Sequence, residues 1–423
     1  MSSFHAIGPF RSYKYLVLLA SVLLFLIGMG GMFQLAVALK PMSESFQWPR
    51  SVPSLAFSLQ FLGSGLGGIV MGHWMDRSGA GRPALLGAVM MGLGAMLAAY
   101  VEYEWQLFLI YGVMLGLLGQ ATLYTPLMTN VTLWFHDKRG MSLGIVASGQ
   151  SVAGVLWPPV FRYFNDTIGW RETFFWYGLF ALLSMAPLAL VLRRRPGAPG
   201  LEGLTSVVAT ATVSATPQRL PPPLLGRLST RQLQGCLCAA IVGCCVAMSL
   251  PLGHIVAHTS DLGHSLARGA EMLSLILGAS FFSRVFGGAM IVDRFGGLRA
   301  LFVFSAFQAA GLGLYALVEG LLGLYLVSAL FGFGYGGINM CYPSIIREYL
   351  PASEAGRRTG VVVLFGAIGM AIGGWLGGQV FDLTGGYAPA FLAGFAFNLG
   401  NLAVVSFLIR FSRGPGMLQP AVA

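Results

Sequence analysis

Gly72-His73-Trp74-Met75-Asp76-Arg77-Ser78-Gly79-Ala80-Gly81-Arg82 and Asp293-Arg294-Phe295-Gly296-Gly297-Leu298-Arg299 are two copies of one loop. Each copy joins two apolar runs long enough to cross a membrane. Gly72, Asp76, Arg77, Gly79 and Arg82 make the first copy; the second keeps Asp293 and Arg294 but has Ala289 where the first glycine would stand. An acid, an arginine and a turn glycine at a tight hairpin pair with neighbouring helix ends, holding one conformation closed and then releasing it. The sequence therefore reads as two related halves.

Outward from these loops, apolar segments run over 14–39, 52–75, 83–101, 106–133, 141–164 and 172–192, then over 233–258, 269–292, 299–318, 321–346, 357–381 and 387–410. A spanning helix uses about 20 to 25 apolar residues. Of the 423 residues 56% are hydrophobic and 9% are charged, against roughly 25% charged in a soluble domain. These figures exclude a soluble enzyme and predict an all-α polytopic membrane protein with twelve transmembrane helices. The expected domains are residues 1–192, a flexible basic linker over 193–232 rich in Pro, Ala, Thr and Ser, and residues 233–423. The segment 16–39 is too long for a cleaved secretory signal and is followed by further spans, so it is expected to stay as a helix.

The formal charge of +10 is topological in this reading. With both termini in the cytoplasm, 19 of the 25 basic residues fall on the cytoplasmic side, while five basic residues and nine of the 15 acids fall outside. That is the positive-inside asymmetry, and it needs no nucleic-acid partner. Four of the five cysteines, Cys236, Cys238, Cys244 and Cys245, share one apolar segment without metal-site spacing, and Cys341 stands alone. They are expected to act as small buried residues. No metal or other cofactor is expected.

Two halves of six spans, a long central loop and the repeated motif resemble the major facilitator superfamily of secondary transporters. Three shorter stretches, Phe46-Gln47-Trp48-Pro49-Arg50-Ser51, Trp134-Phe135-His136-Asp137-Lys138-Arg139-Gly140 and Gly169-Trp170-Arg171-Glu172-Thr173-Phe174, look like its monocarboxylate and oxalate/formate exchanger branch. The resemblance implies a fold of two pseudo-symmetric six-helix bundles. It also implies a transport unit without enzymatic activity that carries small organic acid anions by alternating access, in monocarboxylate carriers usually with a proton. The expected setting is a bacterial-type inner membrane and the expected unit a monomer in the lipid bilayer.

Arg284 is the sharpest single feature. It lies nine residues before Asp293, about 13 Å along a helix, and so near mid-membrane. A charge there costs at least roughly 2.5 to 3.5 kcal/mol and normally faces a wet cavity or a partner. A planar guanidinium grips a carboxylate with two hydrogen bonds, and related carriers have an arginine at the matching position. Oxalate/formate exchangers are expected to have a second cation in span eleven, but 357–381 carries no charge after its first two arginines. One deep cation favours a monocarboxylate such as lactate or pyruvate, because a second carboxylate would stay unpaired in low dielectric.

Animal monocarboxylate carriers also have a lysine in span one and an aspartate one turn before the span-eight arginine. Here Phe33-Gln34 and Ser280 stand in those regions. The expected proton carriers are therefore Asp261 and His254; His254 and His258 share a helix face. Asp261, near the outer end, can pair with Arg284 in the empty carrier if their helices converge. Tyr124, Tyr335, Phe33, Asn339 and Phe365, with His254, are the remaining candidates for contact with the substrate, as polar tips and rings in an apolar cleft. Gly332-x-Gly334-x-x-Gly337 matches a dinucleotide-binding pattern, but it sits inside an apolar helix, where glycines let helices approach closely. Anion exchange without a proton and a transporter-like carboxylate sensor are the competing functions; a multidrug exporter fits a single deep arginine less well.

Overall fold

The computed structural model describes residues 9–135, 139–194, 228–284, 291–350 and 354–412. The first half contains α1 (Pro9–Phe46), α2 (Ser51–Ser78), α3 (Gly81–Ala98), α4 (Glu104–Leu109), a π-helical stretch (Ile110–Gln120), α5 (Ala121–Trp134), α6 (Arg139–Thr167) and α7 (Trp170–Val191). The second contains α8 (Thr230–Asp261), α9 (Leu266–Phe282), α10 (Asp293–Phe295), α11 (Gly297–Tyr315), α12 (Leu321–Tyr349), α13 (Ala355–Thr384) and α14 (Ala388–Ser412). Among the described residues, eleven helical segments are long and apolar enough to cross a membrane. The expected eighth span runs through 285–290, and most of the expected linker covers 195–227; both lie outside the described residues.

Backbone proximity divides the chain into two compact units. The first comprises residues 1–197 with 252–278 and 374–386; the second comprises 198–251, 279–373 and 387–423. Within the first, α1 is central. Tyr177 from α7 donates to the Ile27 carbonyl at 2.6 Å, and Met91 from α3 lies against Gly31. The expected fourth span differs from a plain α-helix in its π-helical turns. Their Gly112 and Gly116 meet the backbone of α2 at Gly63 and Gln60, so widened turns lie where two backbones press together. Within the second unit, Asn398 and Asn401 donate to the backbone and hydroxyl oxygens of Ser305, each at 2.9 Å, tying α14 to α11 through buried amide N–H groups.

The two motif loops fold alike. Gly79 ends α2 at φ +80° and donates to the Met75 carbonyl; Gly296 ends the α10 turn at φ +81° and donates to the Val292 carbonyl. Arg77, Arg82 and Arg294 are exposed beside these turns. In the second loop the Glu348 carboxylate accepts from the Gly297 N–H at 3.3 Å, at the start of α11, where the helix dipole favours an anion. The side chains of Asp76 and Asp293 lie outside those described.

Candidate functional site

Arg284 follows α9, in two residues of π-helical form, and is half-buried. Its guanidinium carbon lies 5.7 Å from the centre of the Tyr335 ring, within the range of a cation–π contact. The approach of α12 to α9 depends on Gly336. A Cβ there would come 2.6 Å from the Ser280 Cα, closer than atoms can sit without movement. Gly334 and Gly337 on the same helix meet the Phe304 region of α11 instead. The glycine pattern rejected as a nucleotide loop thus packs helices, and its Tyr335 neighbour is held beside Arg284.

Asp261 pairs with Lys40 and Arg50. Lys40 Nζ reaches Asp261 Oδ1 at 2.9 Å; Arg50 donates from Nη2 to Oδ1 at 2.8 Å and from Nη1 to Oδ2. Lys40 also donates to Ser260 Oγ at 2.9 Å. The Asp382 carboxylate accepts from the backbone N–H groups of Arg50 and Ser51, each at 2.8 Å, and caps the start of α2. The guanidinium carbon of Arg50 lies 3.8 Å from the centre of the Phe381 ring. Ends of α1, α2, α8 and α13 meet here, all within the first compact unit.

The remaining candidates are placed as follows. His254 is buried, with Nε2 donating to the Gly374 carbonyl at 2.8 Å, and so ties α8 to α13. Phe33 is fully buried on α1; Tyr124 on α5 is half-exposed beside Phe25, ring centres 5.6 Å apart. Phe365 lines a groove of about 1000 Å³ together with Gln234, Cys238, Val242, Phe397 and Asn401. That groove lies in the second unit on α8, α13 and α14 and holds neither Arg284 nor Tyr335. The side chain of Asn339 lies outside those described.

Sequence reasoning counted Lys40 and Arg50 as charges on the acid-rich side, quoted Arg50 also within a family-like stretch, and gave Asp382 no role. The available signal was position, since each stands at a span end where an opposite charge on another span end is free to meet it. Two of the stretches behind the family resemblance also assemble. Phe46 stacks on Trp48 with ring centres 4.2 Å apart. Arg171 lies over the Phe46 and Trp170 rings and donates to the carbonyls of Ala99 and Val101.

Known proteins align with this arrangement across most of the chain. Monocarboxylate transporter 13 of Bos taurus is 23% identical over 97% of this chain and 92% of its own. The MFS-type transporter opdF of Penicillium oxalicum is 27% identical over 81% and 77%. In fold, the chain is similar to a bacterial homolog of the human lysosomal transporter Spinster, with a TM-score of 0.67, 17% identity and 96% of both chains covered. The family profile of the Major Facilitator Superfamily matches residues 19–374. With its apolar helices and these relatives, the chain is an integral membrane transporter, and it belongs to the major facilitator superfamily.

Proposed function

We propose that this transporter carries small monocarboxylates of the lactate and pyruvate type, together with a proton, by alternating access. The observation that carries the reading is Arg284, a cation deep in a span with the Tyr335 ring at 5.7 Å. A guanidinium backed by an aromatic face presents its N–H edge to a carboxylate. The sequence offers one cation at that depth, which matches one carboxylate. Relatives named as monocarboxylate transporters support the same class.

In this scheme both termini face the cytoplasm of a bacterial-type inner membrane, as the charge asymmetry supports, and the monomer is the transport unit. The Asp261 junction then lies on the outer side, and protonation of Asp261 removes the charge that holds Lys40 and Arg50. The Gly72–Arg82 and Asp293–Arg299 loops act as the cytoplasmic gate. Uptake of labelled lactate into proteoliposomes tests the scheme. An inside-alkaline gradient should accelerate uptake, whereas dependence on internal anion alone would establish exchange. Arg284→Ala should abolish uptake while the protein still folds and inserts; uptake at the wild-type rate by that variant would remove Arg284 from the site.

A further inference from the structure

The junction at Asp261 has the construction of a carboxylate receptor. Two cations from α1 and α2 grip both oxygens of one carboxylate; the distances are 2.9 Å from Lys40 and 2.8 Å from Arg50 Nη2, with Arg50 Nη1 on the second oxygen. Supports on α13, independent of Asp261, fix Arg50: its guanidinium rests on the Phe381 ring and its backbone N–H is held by Asp382. Ser260, beside Asp261 on α8, accepts from Lys40 while α8 is in place. Arg50 and Lys40 are only 12% and 19% exposed, so water weakens the grip less than at an open surface. Beside Arg50 lies a hollow of about 370 Å³ with Trp48, Pro49 and Phe381 as its apolar walls and the carboxylates of Glu44 and Asp382 among its polar ones, room for a short solute next to the guanidinium. Lys40, Arg50 and Asp261 together carry one net positive charge.

We propose that Lys40 and Arg50 form an outer receiving site for the transported carboxylate, and that Asp261 is its built-in competitor. When α8 moves away from α1 and α2, the Asp261 carboxylate takes a proton from the outer solution. The carboxylate of the solute replaces it between the two cations. One anion and one proton enter together, so the net charge of the junction is unchanged. A bidentate guanidinium and an ammonium accept any carboxylate of the right size, because the contacts are to its two oxygens alone. This rests on the monocarboxylate reading above, but it concerns a different site from Arg284.

The test compares the two faces of the membrane, using labelled L-lactate in intact cells and in everted vesicles that express the full chain. Arg50→Gln and Lys40→Gln should each raise the external KM roughly tenfold, the loss expected for a charge-assisted contact, and leave the KM at the cytoplasmic face unchanged. Asp261→Asn should lower the external KM and abolish acceleration by an outer acid pulse. A gain in apparent affinity cannot come from misfolding. Equal KM changes on both faces, or an unaltered external KM in Arg50→Gln, would overturn the receiving site. No lactate uptake by the wild type in either preparation would instead overturn the monocarboxylate reading itself.

Discussion

Gly79 and Gly296 hold the same backbone conformation, φ +80° with ψ 167° and φ +81° with ψ 159°, at matching places in the two motif loops. Each donates its N–H to the carbonyl four residues earlier, at 2.7 Å and 2.9 Å. This region of backbone space is essentially open to glycine alone, and other residues there cost of order 1 to 3 kcal/mol. Gly79→Ala and Gly296→Ala should each destabilise the protein by about that amount. Thermal unfolding in detergent checks this; an unchanged melting temperature in both would show that neither turn is constrained.

Arg171 bridges the ends of two spans. Its guanidinium donates to Ala99 O at 2.9 Å and Val101 O at 3.4 Å, satisfying carbonyls at and just beyond the end of α3, and it lies 5.0 Å and 4.9 Å from the Phe46 and Trp170 ring centres. Hydrogen bonds to a charged group are worth about 1.5 to 3 kcal/mol. Arg171→Ala is expected to lower stability by roughly that much, and Arg171→Lys should recover little because an ammonium cannot span both carbonyls. Full recovery of the melting temperature by lysine would contradict the bridging role.

Gly336 sets the spacing between α12 and α9, with the Ser280 Cα 2.6 Å from where a Cβ would stand. In Gly336→Val the helices must separate, moving Tyr335 away from Arg284. Tyr335→Leu removes the ring alone, a cation–π loss of about 0.5 to 2 kcal/mol. On the proposed function both should raise the lactate KM, by a few-fold for Tyr335→Leu and more for Gly336→Val, while Tyr335→Phe stays near the wild type. Concentration-dependent uptake distinguishes them, and a Tyr335→Phe variant as impaired as Tyr335→Leu would assign the contact to the hydroxyl instead of the ring.

Asp382 holds the first turn of α2 through two backbone N–H groups, each at 2.8 Å. Loss of such a cap costs about 0.5 to 2 kcal/mol. Asp382→Ala should therefore loosen the Arg50 end of α2. Hydrogen exchange at the Arg50 and Ser51 amides should become faster while amides in the middle of α2 remain protected. Unchanged exchange at those two amides would remove the cap from the account.

Much of the fold was legible because its signals lie along the chain. Apolar run length marks the spans, and the glycines at 79 and 296 announce turns that other residues resist. The π-helical turns at Ile110–Gln120 were not legible, since they depend on how Gly112 and Gly116 meet the backbone of α2. Nor was the groove that Phe365 shares with Phe397 legible, since its walls come from helices far apart in the chain.

The sequence by itself determined that this chain lives in a membrane and where most of its helices run. Only the tertiary structure decided that Asp261 faces Lys40 and Arg50, and that Tyr335 backs Arg284. Hydrophobicity and backbone strain are properties of neighbours in sequence, whereas an ion pair joins residues whose helices must first be packed and rotated against each other. A charge can be counted from the sequence, but its partner is chosen by the packing.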